Sequence, residues 1–505
     1  MNYDIIFILG EKYFDHPLCG VAILKRLLEK NGYKVGVIET PKKSSEITKL
    51  GKPNLFFGIG SGAIDSMLRN YTALKKERTW EKDKYKKELP DRAVTVYSNW
   101  VKENYKGTKL IIGGVEASLR RFTHYDYWDN KLRKSILMDT RADILVYGYG
   151  EKQILEIALR IKEEKSLEGI PGTCIRVKEL PNDFIVLPSY DEVVKSKEKF
   201  CDMQNIISSN KNLAQKTDNF YILQYKFPKY LSSDLDEYYE LPFKRDVPEN
   251  MKGFEFSVVT HRGCIGNCNF CSLKLMSDEK IVSRSEESII REIKYITTLP
   301  HFKGNIDDLG GPSANMYGMD CAKCTNNCID CNKLNRSHSR LINLMKELRK
   351  IKNVKKIFVR SGVRYDLATD EYLNELKNHI SGNLKIAPEH VGKETLKAMN
   401  KDKGNLDEFI LRYKKLDCGG LSFYFMVAHP GTTQKEAEAL AKKIKELKNS
   451  ESIQIFTPTP MTYSTCMYYT ELDPKTKKKI YVAKSFAEKK DQRRAIKFDK
   501  IKDFE

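Results

Sequence analysis

The chain has 505 residues, 41% of them hydrophobic and 31% charged, with a formal net charge of +20. That length supplies core for several domains and excludes a small disulfide-stapled scaffold, while no apolar run approaches the roughly 18 residues that a membrane helix needs. The charge admits a nucleic-acid partner, but lysines interleave with glutamate, as in Lys442-Lys-Ile-Lys-Glu446, which favours a solvated helix face over a phosphate-binding patch.

In chain order, Asp4-Ile-Ile-Phe-Ile-Leu-Gly10 reads as a first core strand rather than a secretory leader, so a cytoplasmic protein is expected. A helix follows over about 20–31, then strands at 33–39, 54–60, 109–114 and 143–148 and a helix at 151–163. This alternation predicts a doubly wound α/β domain with a parallel sheet over residues 1–165, of the Rossmann or flavodoxin-like kind. Gly10, Gly58, Gly60, Gly113, Gly114, Gly148 and Gly150 fall at strand ends and place open loops along the ligand-binding edge. Residues 64–108, basic and tyrosine-rich, read as a helical insertion, and residues 166–250, rich in proline, as a connecting segment.

From 251 to 460 the pattern becomes regular, with strands expected at 255–260, 304–309, 355–360, 383–387, 421–427 and 452–457. Helical periods lie between them at 285–298, 339–351, 371–379, 393–416 with a break, and 433–447; the first is opened by the capping-box candidate Ser283-Arg-Ser-Glu286. Six such repeats predict a partial (β/α)6 barrel carrying a cysteine-rich insertion at 312–338 and a C-terminal extension at 461–505. Chemistry then belongs at the carboxyl ends of the strands, where unusual residues cluster: Gly310-Gly311-Pro312, Ser361 to Arg364, Pro388-Glu389-His390 and His429-Pro-Gly431.

Seven of the 12 cysteines fall between 264 and 331, while Cys19, Cys174, Cys201, Cys418 and Cys466 are scattered and read as small buried hydrophobes. The first expected barrel strand runs into Cys264-Ile-Gly-Asn-Cys268-Asn-Phe270-Cys271. Three thiolates on one glycine-containing loop can ligate three irons of a 4Fe-4S cube and leave the fourth open for a substrate, whereas zinc would ask for a fourth ligand.

This stretch resembles the signature of the radical SAM superfamily. The resemblance implies that S-adenosylmethionine (SAM) chelates the open iron and is cleaved to a 5′-deoxyadenosyl radical, that Gly310, Gly311 and Pro312 hold the methionyl amine, and that Ser361, Arg364, Glu389 and His390 meet its carboxylate and ribose. Tyr13-Phe-Asp-His-Pro17, His261-Arg-Gly-Cys264, Asp308-Leu-Gly-Gly-Pro312, Ser361-Gly-Val-Arg-Tyr-Asp366, Leu384-Lys-Ile-Ala-Pro-Glu-His390 and Phe456-Thr-Pro-Thr-Pro-Met461 together look like YgiQ-type proteins of that superfamily. A low-potential electron donor of flavodoxin or ferredoxin type is then an implied partner. Arg364 and His429 are also candidate substrate contacts. Rival readings are a radical SAM methylase or methylthiolase acting on RNA, and a non-catalytic iron-sulfur electron carrier.

Cys321-Ala-Lys-Cys324-Thr-Asn-Asn-Cys328-Ile-Asp-Cys331 packs four thiols into eleven residues. The spacing is tighter than a zinc ribbon's and nearer to the bacterial ferredoxin run, so an auxiliary iron-sulfur cluster and a structural zinc both stand as expectations. Asp15-His16 lies in the first βα loop, where cobalamin-dependent relatives carry a cobalt-binding D-x-H-x-x-G motif; here Asp and His are adjacent, and an anion, substrate or partner pocket is the stronger expectation.

Overall fold

The computed structural model describes residues 2–78, 89–276, 280–321, 328–448 and 450–496. Its first sheet is built on five parallel strands, β1 (Ile5–Leu9), β2 (Val35–Glu39), β3 (Phe56–Gly60), β4 (Lys109–Ile112) and β5 (Ile144–Val146), in the order β2-β1-β3-β4-β5. That order is flavodoxin-like, with its topological switch point between β1 and β3. The strands are buried on both faces by helices, among them Gly20–Lys30 and Glu151–Lys162, which explains their continuous apolar runs.

The sheet does not end at residue 165. Residues 166–250, expected to be a connecting segment, add β6 (Thr173–Val177), β7 (Ile185–Leu187), β8 (Leu213–Thr217) and β9 (Phe220–Gln224), in the order β5-β6-β9-β8-β7. Two of these strands, β8 and β9, escaped the pattern because they bury glutamines. Gln215 accepts the Thr123 N–H at 2.9 Å and Gln224 accepts the Arg121 Nε–H at 2.7 Å, so polar letters occupy core positions.

The second half is the partial barrel, with β10 (Ser257–Val259), β11 (Asp308–Gly310), β12 (Lys356–Ile357), β13 (Asn383–Glu389), β14 (Gly420–Val427) and β15 (Ser450–Ile455). β10 pairs with β11, and β13 with β14 with β15, all parallel; Leu309 N–H to Phe358 and the Val363–Ile386 bridge join the rest. Helices Glu286–Ile296, Ser339–Leu348 and Gln434–Leu447 bury one apolar face each against these strands. The first is capped by Ser285, whose hydroxyl accepts the Ser288 N–H at 3.1 Å; Ser283, the expected cap, instead accepts the Gly318 N–H at 2.9 Å.

Because the barrel is open, β10 has a free edge, and its carbonyls at 255, 257 and 259 point there while those at 256 and 258 face β11. Arg245 Nη1 donates to the Glu255 and Ser257 carbonyls at 3.3 and 3.1 Å, and Arg284 Nη1 to Val259 at 3.0 Å. Both guanidiniums share the Glu292 carboxylate, and all three side chains are at most 3% exposed. This triad satisfies the edge that another strand would otherwise occupy.

The C-terminal extension returns to the first domain. Phe456, Met461, Cys466, Tyr468 and Val482 belong to the same apolar core as β1, β3 and β4, and helices Tyr463–Thr470 and Phe486–Arg494 close it. No helix among the described residues is long and apolar enough to cross a membrane.

Candidate functional site

β10 leads through Thr260 to Arg262 into the loop bearing Cys264, Cys268 and Cys271. Gly263 turns the chain with φ +88, and a Cβ there would stand 2.0 Å from the Lys280 carbonyl, so the position requires glycine. Gly266 lies under the Arg364 guanidinium, where a Cβ would come within 2.5 Å of Nη1. The Gly266 N–H points to Cys264 Sγ at 3.4 Å and Arg364 Nη1 donates to Cys268 Sγ at 3.5 Å. Hydrogen bonds to sulfur are how a protein steadies and tunes a cluster.

Burial raises the Cys264 thiol and pushes Cys271 up to about 12, with the neighbouring sulfurs adding to both; Arg364 and Lys401 oppose the rise at Cys264. Thiolates in such a place need a bound cation, which fits iron ligation. Among the described residues no three His, Cys, Asp or Glu side chains gather around one point as a single ion requires; ligands on three corners of a cube stand further apart.

The expected SAM residues gather around this loop to different degrees. Gly310 sits against Ser361, whose hydroxyl donates to Asp308 Oδ2 at 2.5 Å; a Cβ on Gly310 would lie 2.4 Å from that hydroxyl. A Cβ on Gly311 would strike the His261 ring at 2.5 Å. Arg364 is buried, forks onto Asp366 (Nε to Oδ1, 2.9 Å) and so faces the cluster loop rather than open space. Glu389, left-handed at φ +69 beyond a bulge in β13, accepts from Lys401 Nζ at 3.2 Å and adds its charge to the field at Cys271. His390 uses its Nδ1 to accept the Gly392 N–H at 2.9 Å, its Nε2 is buried without a hydrogen-bond partner, and burial lowers its pKa to about 4. Phe270 meets His429 edge to face at 6.1 Å. His429, fully buried, donates from Nδ1 to the Pro430 carbonyl at 2.8 Å and accepts from Ser464 Oγ at 2.6 Å, so it braces the mouth of the barrel.

A cavity of about 630 Å³ separates the two halves. Its sheet wall is Glu11, Gly60, Gly113 and Gly148 at the switch-point edge, and its barrel wall is His261, Gly310, Pro312 and Ser361. Open α/β sheets bind ligands at this edge. Arg262, also at the wall, donates to Glu151 Oε1 at 2.7 Å and to the Tyr239 hydroxyl at 3.1 Å, which ties the cluster loop to the first domain. His261, Arg262 and Asp308 stand in the motifs that carry the resemblance but had no role assigned from sequence, and Glu151 was not named as a site residue. Asp308 stands directly before the Leu-Gly-Gly-Pro turn and was legible there; the Arg262–Glu151 pair was not, since 111 positions separate its members.

Of the second cysteine set, Cys324 lies outside the described residues. Cys328 and Cys331 share one small apolar cluster with Cys264, Ile265 and Met316, so the insertion packs directly beside the cluster loop. Asp15 and His16 are joint-forming. Arg26 clamps the Asp15 carboxylate, while His16 Nε2 donates to the Glu255 carbonyl at 2.8 Å and Nδ1 accepts the Leu18 N–H at 3.0 Å.

Residues 1–258 match the family described as Radical SAM N-terminal, and residues 258–444 the one described as Radical SAM superfamily. A UPF0313 protein of Fusobacterium nucleatum is 42% identical across 97% of this chain and 95% of its own. One of Methanocaldococcus jannaschii is 42% identical across 97% and 88%. Among solved structures, the radical SAM methyltransferase TsrM of Kitasatospora setae, with cobalamin and a [4Fe-4S] cluster bound, superposes with TM-score 0.58 at 13% identity over 93% of this chain and 79% of that one. The cobalamin-dependent radical SAM enzyme OxsB reaches TM-score 0.51 at 12% identity over 87% and 52%.

Proposed function

Because this chain belongs to the radical SAM superfamily of enzymes, among its UPF0313 or YgiQ-type members, we propose that it cleaves SAM reductively and spends the 5′-deoxyadenosyl radical on a substrate held in the inter-domain cavity. The observation that carries this reading is the loop of Cys264, Cys268 and Cys271 at the carboxyl end of β10, with the Gly266 N–H and the Arg364 guanidinium on its sulfurs. When bound there, a reduced 4Fe-4S cluster with one iron free of protein ligands supplies the electron that breaks the sulfonium bond.

The rest of the work falls to the chain. Gly310, Gly311 and Pro312 form a side-chain-poor ledge for the methionyl group, and Ser361, oriented by Asp308, offers a fixed hydroxyl to SAM. Arg364 offsets negative charge at the cluster while Asp366 holds its plane. The Arg262–Glu151 pair keeps the first domain over the mouth, so that the substrate cavity lies between two walls. A low-potential protein donor supplies the electron.

Of the basic residues of the 64–108 insertion, Lys75 donates to the Trp128 carbonyl, Arg78 to that of Leu68, Arg92 to Asp126 and Lys102 to the Thr140 carbonyl, Lys76 and Lys106 are exposed, and Lys82, Lys84, Lys86 and Lys87 lie outside the described residues. The cobalamin of the solved neighbours would find no free imidazole at His16, both of whose ring nitrogens are engaged.

The test is anaerobic reconstitution, dithionite reduction and SAM, with 5′-deoxyadenosine and methionine as the readout. Formation of 5′-deoxyadenosine by the parent and its loss in Cys264→Ala, Cys268→Ala and Cys271→Ala support the proposal. A reduced cluster that leaves SAM intact and also passes electrons to an acceptor protein would favour the electron-carrier reading.

A further inference from the structure

Two of the scattered cysteines are not isolated. Cys201 lies in helix Lys197–Ile207, which covers the added strands of the first domain, and Cys466 lies in helix Tyr463–Thr470 of the C-terminal extension. The Cys466 thiol points to Cys201 Sγ at 3.8 Å, and Cys201 in turn to Thr470 Oγ1 at 3.7 Å; both cysteines are fully buried. The helices are held in register on either side of this contact. Gln204 Nε2 donates to the Met461 carbonyl at 2.8 Å, Tyr463 to Asn205 at 2.9 Å, and Asn205 to the Pro474 carbonyl at 2.8 Å. The two sulfurs thus stand in van der Waals contact between helices held in register, as a pair must before a bond of about 2.05 Å can form.

We propose that Cys201 and Cys466 are a redox-active dithiol whose disulfide fastens the C-terminal extension to the first domain. Cys201 is the nucleophile, since hydrogen bonding from Cys466 lowers its thiol to about 7 while burial raises Cys466. The oxidant is hydrogen peroxide, small enough to reach a buried site. Cys201 sulfur attacks one peroxide oxygen, the O–O bond breaks, and a sulfenic acid and one water leave the step. Cys466 sulfur then attacks the sulfenic sulfur, the S–S bond forms and the second water departs with the remaining thiol proton. Two electrons pass from the thiols to the peroxide, and a soluble dithiol reverses the reaction by exchange.

The location gives the bond a consequence. Two residues before Cys466, the Ser464 N–H donates to the Asn269 carbonyl at 3.0 Å, inside the cluster loop, and the Ser464 hydroxyl donates to His429. A covalent tie here clamps the helix that supports the cluster loop, under the oxidising conditions to which exposed iron-sulfur sites are vulnerable.

The test uses the full-length, reconstituted protein titrated with hydrogen peroxide, quenched, alkylated after unfolding and mapped without reduction. Cys418, a buried thiol directed at the Leu373 carbonyl, is the internal control. The expected result is a peptide joining helix 197–207 to helix 463–470, reversed by dithiothreitol, formed before Cys418 is oxidised, and absent from both Cys201→Ser and Cys466→Ser. Cys201 and Cys466 fully alkylated at a peroxide level that has oxidised Cys418, or either one linked to another cysteine, would overturn the proposal. The wild-type map decides even where a variant fails to fold.

Discussion

Replacing Glu292 by alanine tests how β10, the strand that delivers the cluster loop, is held. Glu292 is the shared anion of Arg245 and Arg284, and no side chain of the three exceeds 3% exposure. Breaking one buried ion pair costs roughly 3–5 kcal/mol, because an uncompensated charge stays behind. Here one deletion strips two guanidiniums that already repel each other, so the cost belongs at the upper end, about 5 kcal/mol. At roughly 2–4 °C per kcal/mol for a domain of this size, the thermal midpoint should fall by about 10–20 °C. Circular-dichroism melts read the midpoint, and iron bound after reconstitution reads the cluster loop. Replacing all three residues by methionine removes the buried charge but orphans the carbonyls of Ser257 and Val259, while that of Glu255 keeps the His16 imidazole, so recovery should be partial, since each unsatisfied carbonyl costs about 1–3 kcal/mol. A Glu292→Ala midpoint within about 2 °C of the parent, or full recovery in the triple variant, would refute the edge-satisfying role.

Acid should be destabilising well before carboxylates protonate. His16, His338 and His390 are buried and stay neutral in the fold with pKa values of about 4. Since the unfolded chain takes up these protons near pH 6.5 and the folded one does not, stability is undiminished above that pH and is lost as pH falls from about 6.5 towards 4. By pH 5 the loss is roughly 2 kcal/mol per histidine, or about 6 in all, measurable as a fall in the urea midpoint; a flat profile from pH 7 to 5 would contradict the burial. Gly311→Val should abolish SAM binding in equilibrium dialysis while sparing cluster iron, because its side chain enters the His261 ring and the ledge; unchanged binding would remove the ledge from the SAM site. Arg364→Lys keeps the charge but not the fork onto Asp366. It should leave iron content near the parent and shift the midpoint potential of the cluster, and an unaltered potential would reduce Arg364 to a structural ion pair.

The helices, the barrel strands and the cluster loop were legible in the chain because each is written in local periods or spacings. Strand and helix alternation from 254 to 457 appears in the structure as six strands with helices between them, and C-x3-C-x2-C places three thiols on one loop wherever that loop sits. Legibility failed first where polar residues serve as core. Gln215 and Gln224 hid two strands, and the sheet continued through a segment whose prolines had suggested a linker. It failed again where partners lie far apart in the chain. His16, expected to face a ligand, instead bonds the Glu255 carbonyl 239 positions away, and Cys201, expected to be a plain buried hydrophobe, meets Cys466 across 265. Local structure follows from the chemistry of neighbours along the backbone and so leaves a repeating trace in sequence. Which buried charge, imidazole or thiol finds which partner is decided only when packing has excluded water, and a single contact at long separation leaves no period to read.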